Sequence, residues 1–216
     1  MATLRSFLCV EISGEIRRNL HRMQQRLARS EGFAAAEGVR WDAPDQLHVT
    51  LCFLGELQWN QTHQVAKIAK SVLQSQSRFT FSCEGLGAFP NLEQPRVLWA
   101  GVRELTLAKK HANEDLEPEE DLGPSCPRFN WIAAALTQAY LEQRFYPDNK
   151  PWAPHVTLGR VTGSKGERSV SIGEEYQEFE DQEFGIQTVH EVKFMSSERS
   201  QAGPIYRPIA TISLGK

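Results

Sequence analysis

Two stretches that lie far apart in the chain carry the same four residues in the same setting. "WDAPDQLHVTLCFLG" spans residues 41–55, and "WAPHVTLGR" spans residues 152–160. Each contains His-Val-Thr-Leu shortly after a Trp and a Pro. A repeated tetrapeptide alone is a weak signal, but the matching context strengthens it. The repeat predicts two related halves of one site, and the rest of the chain can be organised around it.

In a β-strand, residues two positions apart project from the same face. His48 and Thr50 would therefore point together, as would His155 and Thr157. The Val and Leu residues of both motifs would point the other way, into a hydrophobic core. Each motif would then present one imidazole and one hydroxyl from a rigid strand.

Strands and helices alternate around the two motifs. Short apolar runs predict strands over 5–12, 48–55, 79–89, 96–102, 155–161, 184–196 and 205–214. Apolar residues at intervals of three and four predict amphipathic helices over 14–30, 60–75 and 128–144. The buried stripe of the first helix would be Ile16, Leu20, Met23 and Leu27. Ser13 is expected to cap this helix.

A strand, a helix and a motif strand follow one another twice. This order predicts an α+β fold with two pseudo-symmetric lobes of mainly antiparallel sheet, helices on the outer faces and an active-site groove between the lobes. We expect residues 1–216 to form this single bilobal domain. Residues 105–127 are acidic, contain three prolines and show no apolar period, so they are expected to form a loop or insertion.

The composition is that of an ordinary globular protein, with 40% hydrophobic and 24% charged residues. No apolar run approaches the length of a membrane span, and the first twelve residues do not resemble a signal peptide. We therefore expect a cytoplasmic monomer with no membrane partner. The four cysteines are widely spaced and include no C-x-x-C pair, so free thiols are expected rather than disulfides or metal ligands.

Charge is unevenly distributed along the chain, whose net charge is −3. Residues 113–121 and 174–183 each contain six acidic residues and no basic ones. The remaining chain has 24 basic residues against 15 acidic ones. A positive surface interrupted by two acidic segments suits a small anion or the end of a nucleic-acid strand better than a long duplex.

Two imidazoles and two hydroxyls around one point suit the hydrolysis of a phosphodiester without a metal. With an ordinary pKa of about 6.5, one histidine can accept a proton from water while the other donates one to the leaving oxygen. The candidate catalytic residues are His48 and His155. Thr50 and Thr157 would donate hydrogen bonds to the phosphate oxygens. Arg160 could add a fixed cation there, or could lie at the rim of the site.

No cofactor or metal is expected. The sequence lacks an H-E-x-x-H motif, a C-x-x-C motif and any cluster with the spacing of metal ligands. "GLGAFP", at 85–90, is not a dinucleotide-binding fingerprint, because proline stands at its last glycine position and a strand follows it.

Five stretches together resemble the 2H phosphoesterase superfamily and, within it, the bacterial and archaeal RNA 2′,3′-cyclic phosphodiesterases, which are also called 2′-5′ RNA ligases. They are "RSFLCVEI" (5–12), "VRWDAPDQLHVTLCFLGEL" (39–57), "GLGAFPNLEQPRVLWAGV" (85–102), "PWAPHVTLGRV" (151–161) and "VHEVKFMSSERSQAGPIYRPIATISL" (189–214). These stretches are spread along most of the length of the chain.

The resemblance implies an enzyme that opens 2′,3′-cyclic phosphates on RNA ends or nucleotides to 2′-phosphates, with 2′-5′ ligation as the reverse reaction. It implies that His48, Thr50, His155 and Thr157 line the site. Since O3′ is then the leaving group, we assign His48 as the acid beside it and His155 as the base. Two alternatives remain open. They are another 2H activity on a different cyclic phosphate and a non-catalytic module that binds RNA ends. Four aromatic residues could stack on a base or belong to the core: Phe7, Phe53, Phe89 and Tyr206.

Overall fold

The structure is a computed structural model of the chain. It describes residues 3–30, 38–92, 94–105, 126–148, 152–161, 176, 179, 181–200 and 203–215.

The described residues form antiparallel strands and three longer helices. The strands are β1 Thr3–Glu11, β2 Val39–Trp41, β3 His48–Gln58, β4 Phe79–Phe89, β5 Val97–Leu105, β6 His155–Val161, β7 Glu183–Val189, β8 Glu191–Ser200 and β9 Gly203–Ser213. The helices are α1 Gly14–Leu27, α2 Thr62–Leu73 and α3 Pro127–Glu142. Two short 3₁₀ turns, Pro44–Gln46 and Trp59–Gln61, precede β3 and α2.

The strands join into one sheet in the order β7-β4-β5-β6-β3-β1-β8-β9, and β2 pairs with β6. We call β3-β1-β8-β9 the first lobe and β6-β5-β4-β7 the second lobe. The two motif strands, β3 and β6, are the inner strands of the two lobes and pair antiparallel with each other through Val49 and Val156. A pseudo-twofold axis therefore passes between these two valines. The predicted α+β fold with two pseudo-symmetric lobes is confirmed.

The helices cover one face of the sheet and enclose the core. α1 packs against β7, α2 packs against β9 and α3, and α3 packs against β3 and β5. The predicted buried stripe of α1 is confirmed, since Ile16, Leu20, Met23 and Leu27 are all buried. Ser13 caps α1, and its side chain accepts a hydrogen bond from the Ile16 N–H at 3.2 Å. α1 follows β1 of the first lobe but packs on the second lobe, so it connects the two.

The prediction of one strand over 184–196 is wrong. The run divides at His190 into β7, which pairs with β4 of the second lobe, and β8, which pairs with β1 and β9 of the first. No glycine or proline marks the division, but two consecutive exposed polar residues, His190 and Glu191, separate the buried Val189 from the buried Val192 there. Sequence periodicity shows which residues suit a strand, but not which neighbouring strand they pair with.

Most of the predicted insertion over 105–127 lies outside the described residues, which resume at 126. The elements on either side of it are described. Leu105 is the last residue of β5, Pro127 is the first of α3, and Cys126 between them is buried. The acidic stretch 113–121 lies outside the described residues, as does part of 174–183.

The expectation of free thiols is confirmed, because all four cysteines are unpaired and buried. Burial raises the pKa of the Cys52 thiol to about 12 and that of Cys126 to about 11. None of the helices in the described ranges is both long enough and apolar enough to cross a bilayer.

Candidate active site

The pairing at the lobe junction places the four motif side chains on one face of the sheet. Val49 and Val156 are opposite each other and fully buried on the helix-covered face. Because adjacent residues of a strand face opposite ways, the His and Thr of each motif lie on the uncovered face. His48, Thr50, His155 and Thr157 are all half-buried there.

Each motif strand contains a β-bulge at the leucine of its motif. Leu51 is an extra residue relative to β1, where Cys9 pairs with Thr50 and Leu8 pairs with Cys52. In the second lobe, Leu158 is the extra residue relative to β5. A bulge shifts the alternation of a strand by one residue. The fifth residue after each histidine is thereby returned to the uncovered face.

These fifth residues differ between the lobes. The second lobe presents Arg160, which pairs across the ladder with Val97. The first lobe presents Phe53, which pairs with Phe7 and is 42% exposed. Without the bulge, simple alternation from His155 would have turned Arg160 toward the core. The bulge thus brings Arg160 onto the face that carries both histidines.

The segment that precedes each motif crosses to the other motif. The Trp152 indole donates to the Thr50 carbonyl at 3.0 Å, and the Asp148 N–H donates to the Phe53 carbonyl at 2.9 Å. On the other side, the Asp42 N–H donates to the Leu158 carbonyl at 2.8 Å. These crossed hydrogen bonds give a structural reason for the shared context of the two motifs.

Both imidazoles are oriented by a backbone carbonyl two residues before them. His48 Nδ1 lies 2.6 Å from the Gln46 carbonyl, and His155 Nδ1 lies 2.8 Å from the Ala153 carbonyl. A carbonyl can only accept, so each Nδ1 carries the hydrogen. In the neutral rings Nε2 is therefore the nitrogen that can take a proton. The Thr50 hydroxyl lies 3.0 Å from His48 Nε2 and donates to it while that ring is neutral.

Aromatic side chains enclose both imidazoles. Phe7 stacks on His48 with ring centres 5.0 Å apart, and Tyr206 meets His48 edge-on at 5.4 Å. Phe89 approaches His155 edge-on at 5.0 Å. Each ring removes water from one side of an imidazole.

The sequence left open whether four aromatic residues stack on a base or belong to the core, and the structure shows that they differ in burial. Phe7 is 2% exposed and packs with Cys9, Met195 and Tyr206 in a small cluster on the uncovered face. Phe89 and Tyr206 are half-buried beside the histidines. Phe53 is the exposed member of the set.

Burial lowers the pKa of His48 to about 4 and also lowers the pKa of His155. The carbonyl hydrogen bond at each Nδ1 opposes this effect, and the Arg160 guanidinium adds to it at both rings. Because a depressed pKa favours the uncharged ring, both imidazoles are neutral at pH 7 in the free protein.

Two further charged residues, Arg40 and Asp42, lie at the second-lobe side of the site. Arg40 pairs with Arg160 across the β2–β6 ladder. Burial raises the pKa of the Asp42 carboxyl, while Arg160 and Arg40 lower it. Asp42 also contributes, after burial, to the raised pKa of Tyr206. The carboxylate therefore balances part of the positive charge there, a role that no pattern in the sequence indicates.

Gly87 has a packing role beneath the site. It pairs with Trp99 in the β4–β5 ladder, and a Cβ at this position would lie 2.2 Å from two carbon atoms of the Trp99 ring. The indole occupies the space that a side chain would fill, between Gly87 and the half-buried Phe89. Trp99 lies 6.4 Å from His155 between ring centres, so this contact fixes one wall of the site.

The described residues contain no group of three or more His, Cys, Asp or Glu placed to hold a metal ion. His21, His63 and His190 are the remaining histidines within those ranges. None of the three is among the described rings that contact His48 or His155.

Comparison with known proteins agrees with this geometry. Residues 10–99 match the family model described as LigT like phosphoesterase. A Methanothermobacter thermautotrophicus protein named RNA 2′,3′-cyclic phosphodiesterase is 28% identical over 98% of this chain and 99% of its own. An Aquifex aeolicus protein of the same name is 29% identical over 82% of each chain. The crystal structure of E. coli LigT complexed with 3′-AMP has a TM-score of 0.70 at 21% identity and covers all of both chains. In its family-model match, its relatives and its fold, the chain is similar to the LigT-like phosphoesterases.

Proposed function

We propose that the protein hydrolyses 2′,3′-cyclic phosphates on RNA ends or nucleotides to 2′-phosphates by acid–base catalysis with two histidines and no metal. The observation that carries the proposal is the pairing of Val49 with Val156, which turns both motifs toward one face. The names of the two relatives and the 3′-AMP complex of E. coli LigT support a substrate of this kind.

In the proposed reaction, Nε2 of His155 takes a proton from a water molecule as its oxygen attacks phosphorus. The bond between phosphorus and O3′ breaks, and Nε2 of His48 gives its proton to O3′. The products are a 2′-phosphate and a free 3′-hydroxyl. If a 5′-hydroxyl of RNA replaces the water, the same proton transfers yield a 2′-5′ linkage.

Three side chains would stabilise the phosphate as its negative charge grows. The hydroxyls of Thr50 and Thr157 lie on the same face as the imidazoles and can donate to non-bridging oxygens. Arg160, brought to that face by the bulge at Leu158, supplies a permanent positive charge.

The acid role requires His48 to hold a proton that it lacks at neutral pH in the free protein, where burial lowers its pKa to about 4. The negative charge of a bound phosphodiester favours the protonated ring and raises that pKa. Substrate binding would therefore charge the site, and the same charge would compensate for Arg160.

The decisive test is turnover of nucleoside 2′,3′-cyclic phosphates by purified protein in excess EDTA. We expect 2′-phosphate products at the same rate with and without the chelator, because the two imidazoles supply both proton transfers. A chelator-sensitive activity restored by a divalent ion would falsify the metal-independent mechanism. Tight binding of cyclic phosphate without turnover would instead favour an RNA-end-binding module.

The two histidine roles can be separated with a substrate in which sulfur replaces the bridging O3′. A thiolate leaves without needing a proton, so the acid becomes dispensable while the base does not. His48→Ala should regain most of its lost rate on this substrate, and His155→Ala should not. The opposite rescue would reverse the assignment.

A further inference from the structure

A buried glutamine on the back of the sheet contacts the bulge that presents Arg160. Gln24 lies on α1 and is 3% exposed. Its side-chain Nε2 lies 2.8 Å from the Leu158 carbonyl and 2.9 Å from the Asp42 carbonyl. Leu158 is the extra residue of the bulge, and its carbonyl also accepts from the Asp42 N–H at 2.8 Å.

The orientation of this amide is fixed by its partners. Both carbonyls can only accept, so the Gln24 nitrogen and not its oxygen must face them. The oxygen lies 3.3 Å from His21 Nδ1 on the same helix. Moving this buried amide would cost free energy, because its polar atoms would lose their hydrogen bonds and have no water to replace them.

The bulge has a direct effect on the site. It sets whether Arg160 faces the histidines or the core, since one extra residue reverses the alternation. Arg160 is opposite Val97 on β5 and opposite Arg40 on β2, while the Asp42 carboxyl acts on it electrostatically from the same side. None of these contacts fixes the Leu158 carbonyl from the helix side, where Gln24 does.

We infer that Gln24 is a positioning residue, which holds the Leu158 bulge and thereby directs Arg160 toward the phosphate of the substrate. The inference rests on the proposed function for the phosphate, but the placement of Arg160 can be measured without turnover. Arg160 is one of the causes that lower the pKa values of both His48 and His155, so its displacement is visible in the titration of those rings.

Gln24→Met removes the donor but keeps the length of the side chain. The matched control is Asn19→Ala, because Asn19 also lies on α1 and donates through its amide to a second-lobe carbonyl, that of Phe184, at 2.7 Å. Phe184 is on β7, away from the bulge. Each variant removes an amide that connects α1 to the second lobe, with two carbonyl partners for Gln24 and one for Asn19. An effect of weakening this helix packing alone therefore appears in both.

The first measurement follows the two imidazoles by NMR as the pH is changed. Arg160→Ala should raise both pKa values, and Gln24→Met should shift them in the same direction by a smaller amount. Asn19→Ala should leave them where they are. If Gln24→Met is folded and leaves both titrations unchanged, the inference is wrong whether or not the protein hydrolyses cyclic phosphates.

The second measurement is a double-mutant cycle on kcat/KM for a nucleoside 2′,3′-cyclic phosphate. Gln24→Met alone should lower kcat/KM by about three- to tenfold, the range expected for losing the one hydrogen bond that holds the bulge, to the Leu158 carbonyl. In the Arg160→Ala background it should cost nothing further, because the residue through which it acts is gone. Equal losses in both backgrounds would overturn the inference. Should Gln24→Met fail to fold, Gln24→Asn shortens the reach of the same amide and must give the same pattern.

Discussion

His48 and His155 each hold Nδ1 against a backbone carbonyl, so each can exchange a proton with a substrate only through Nε2. The hydrogen bond at Nδ1 therefore determines that Nε2 is the reacting atom. The surrounding aromatic rings affect the pKa of the imidazole and so the pH range in which it is protonated. Aromatic burial and Arg160 both favour the neutral ring. The two histidines are thus poised to accept protons, and a bound anion is needed before one of them can give a proton away.

This balance predicts the pH dependence of the reaction. The proposed mechanism needs one imidazole protonated and the other neutral, and the pKa values of both rings lie below the ordinary 6.5. As pH rises above the higher value of the pair, the protonated partner is lost, so kcat/KM should have a maximum below pH 6.5 and fall on both sides.

The dependence of kcat should be displaced to higher pH, because the substrate's negative charge raises both pKa values in the complex. Steady-state rates between pH 4 and 9, with and without saturating substrate, give both profiles. A kcat/KM that keeps rising toward pH 8 would contradict the depressed pKa values.

At the scale of single elements, two β-bulges and Gly87 determine which side chains lie at the site. Both bulges fall at the leucine of the motif, and each returns a residue to the uncovered face. Gly87 acts on β4 in a comparable way, because the space left by its missing side chain is filled by the Trp99 ring.

Gly87→Ala tests this packing. The new Cβ would meet the Trp99 ring at 2.2 Å, and the ring is half-buried, so the wall beside His155 must move. We expect a loss of about 1–3 kcal/mol in the free energy of unfolding, as for other overpacked sites. We also expect a fall of at least about tenfold in kcat/KM from the displaced wall.

Urea unfolding and steady-state kinetics measure the two effects. Gly14→Ala is the control, because a Cβ there meets only the flexible end of Arg18 at 3.4 Å. A fully active and stable Gly87→Ala protein would show that Trp99 can shift without affecting the site.

The positions of most strands and helices could be predicted from the sequence, but the pairing partners of the strands could not. The predicted bounds of the strands over 79–89 and 155–161 match β4 and β6, because apolar alternation there is strong and clear breaks flank it. The division at His190 was missed, although His190 and Glu191 interrupt the apolar alternation there. Which neighbours the two strands pair with could not be predicted, because that depends on the folded sheet. The side of the sheet that Arg160 takes depends on a bulge, which alternation does not reveal.

The candidate site shows the same limit. The repeated motif was enough to name the two histidines and two threonines. Gln24 was missed, although one signal existed. It lies four residues after Leu20 and three before Leu27, on the apolar stripe of α1, where a polar side chain needs a partner inside the protein. The partner is a carbonyl that only the folded sheet brings close.

At the scale of the whole molecule, the insertion after β5 can be tested by removal. Deleting residues 108–126 would remove Cys126, whose buried thiol donates to the Val102 carbonyl at 2.9 Å. The deletion should therefore end earlier, at residue 124. The described elements on either side of the insertion lie close together, because the Arg128 N–H donates to the Glu104 carboxylate at 2.8 Å.

A protein lacking residues 108–124 should keep cooperative thermal unfolding and its activity on small cyclic nucleotides, because the removed stretch has no apolar period to contribute to a core. Calorimetry and steady-state kinetics on the same preparation measure both. Loss of cooperative unfolding would show that the stretch is part of the folded structure, whereas loss confined to longer RNA substrates would assign it a part in binding them.

The pseudo-twofold axis between Val49 and Val156 has a consequence for the regiochemistry of the reaction. Two equal halves would accept a cyclic phosphate in either of two orientations and would release a mixture of 2′- and 3′-phosphates. The equivalent positions 53 and 160 break that equality, with an exposed aromatic ring on one side and a cation on the other. Exchanging them, as Phe53→Arg with Arg160→Phe, should increase the share of 3′-phosphate among the products, which chromatography of the nucleotide isomers measures directly. An unchanged product ratio in an active double variant would mean that the choice of leaving oxygen is made elsewhere in the site.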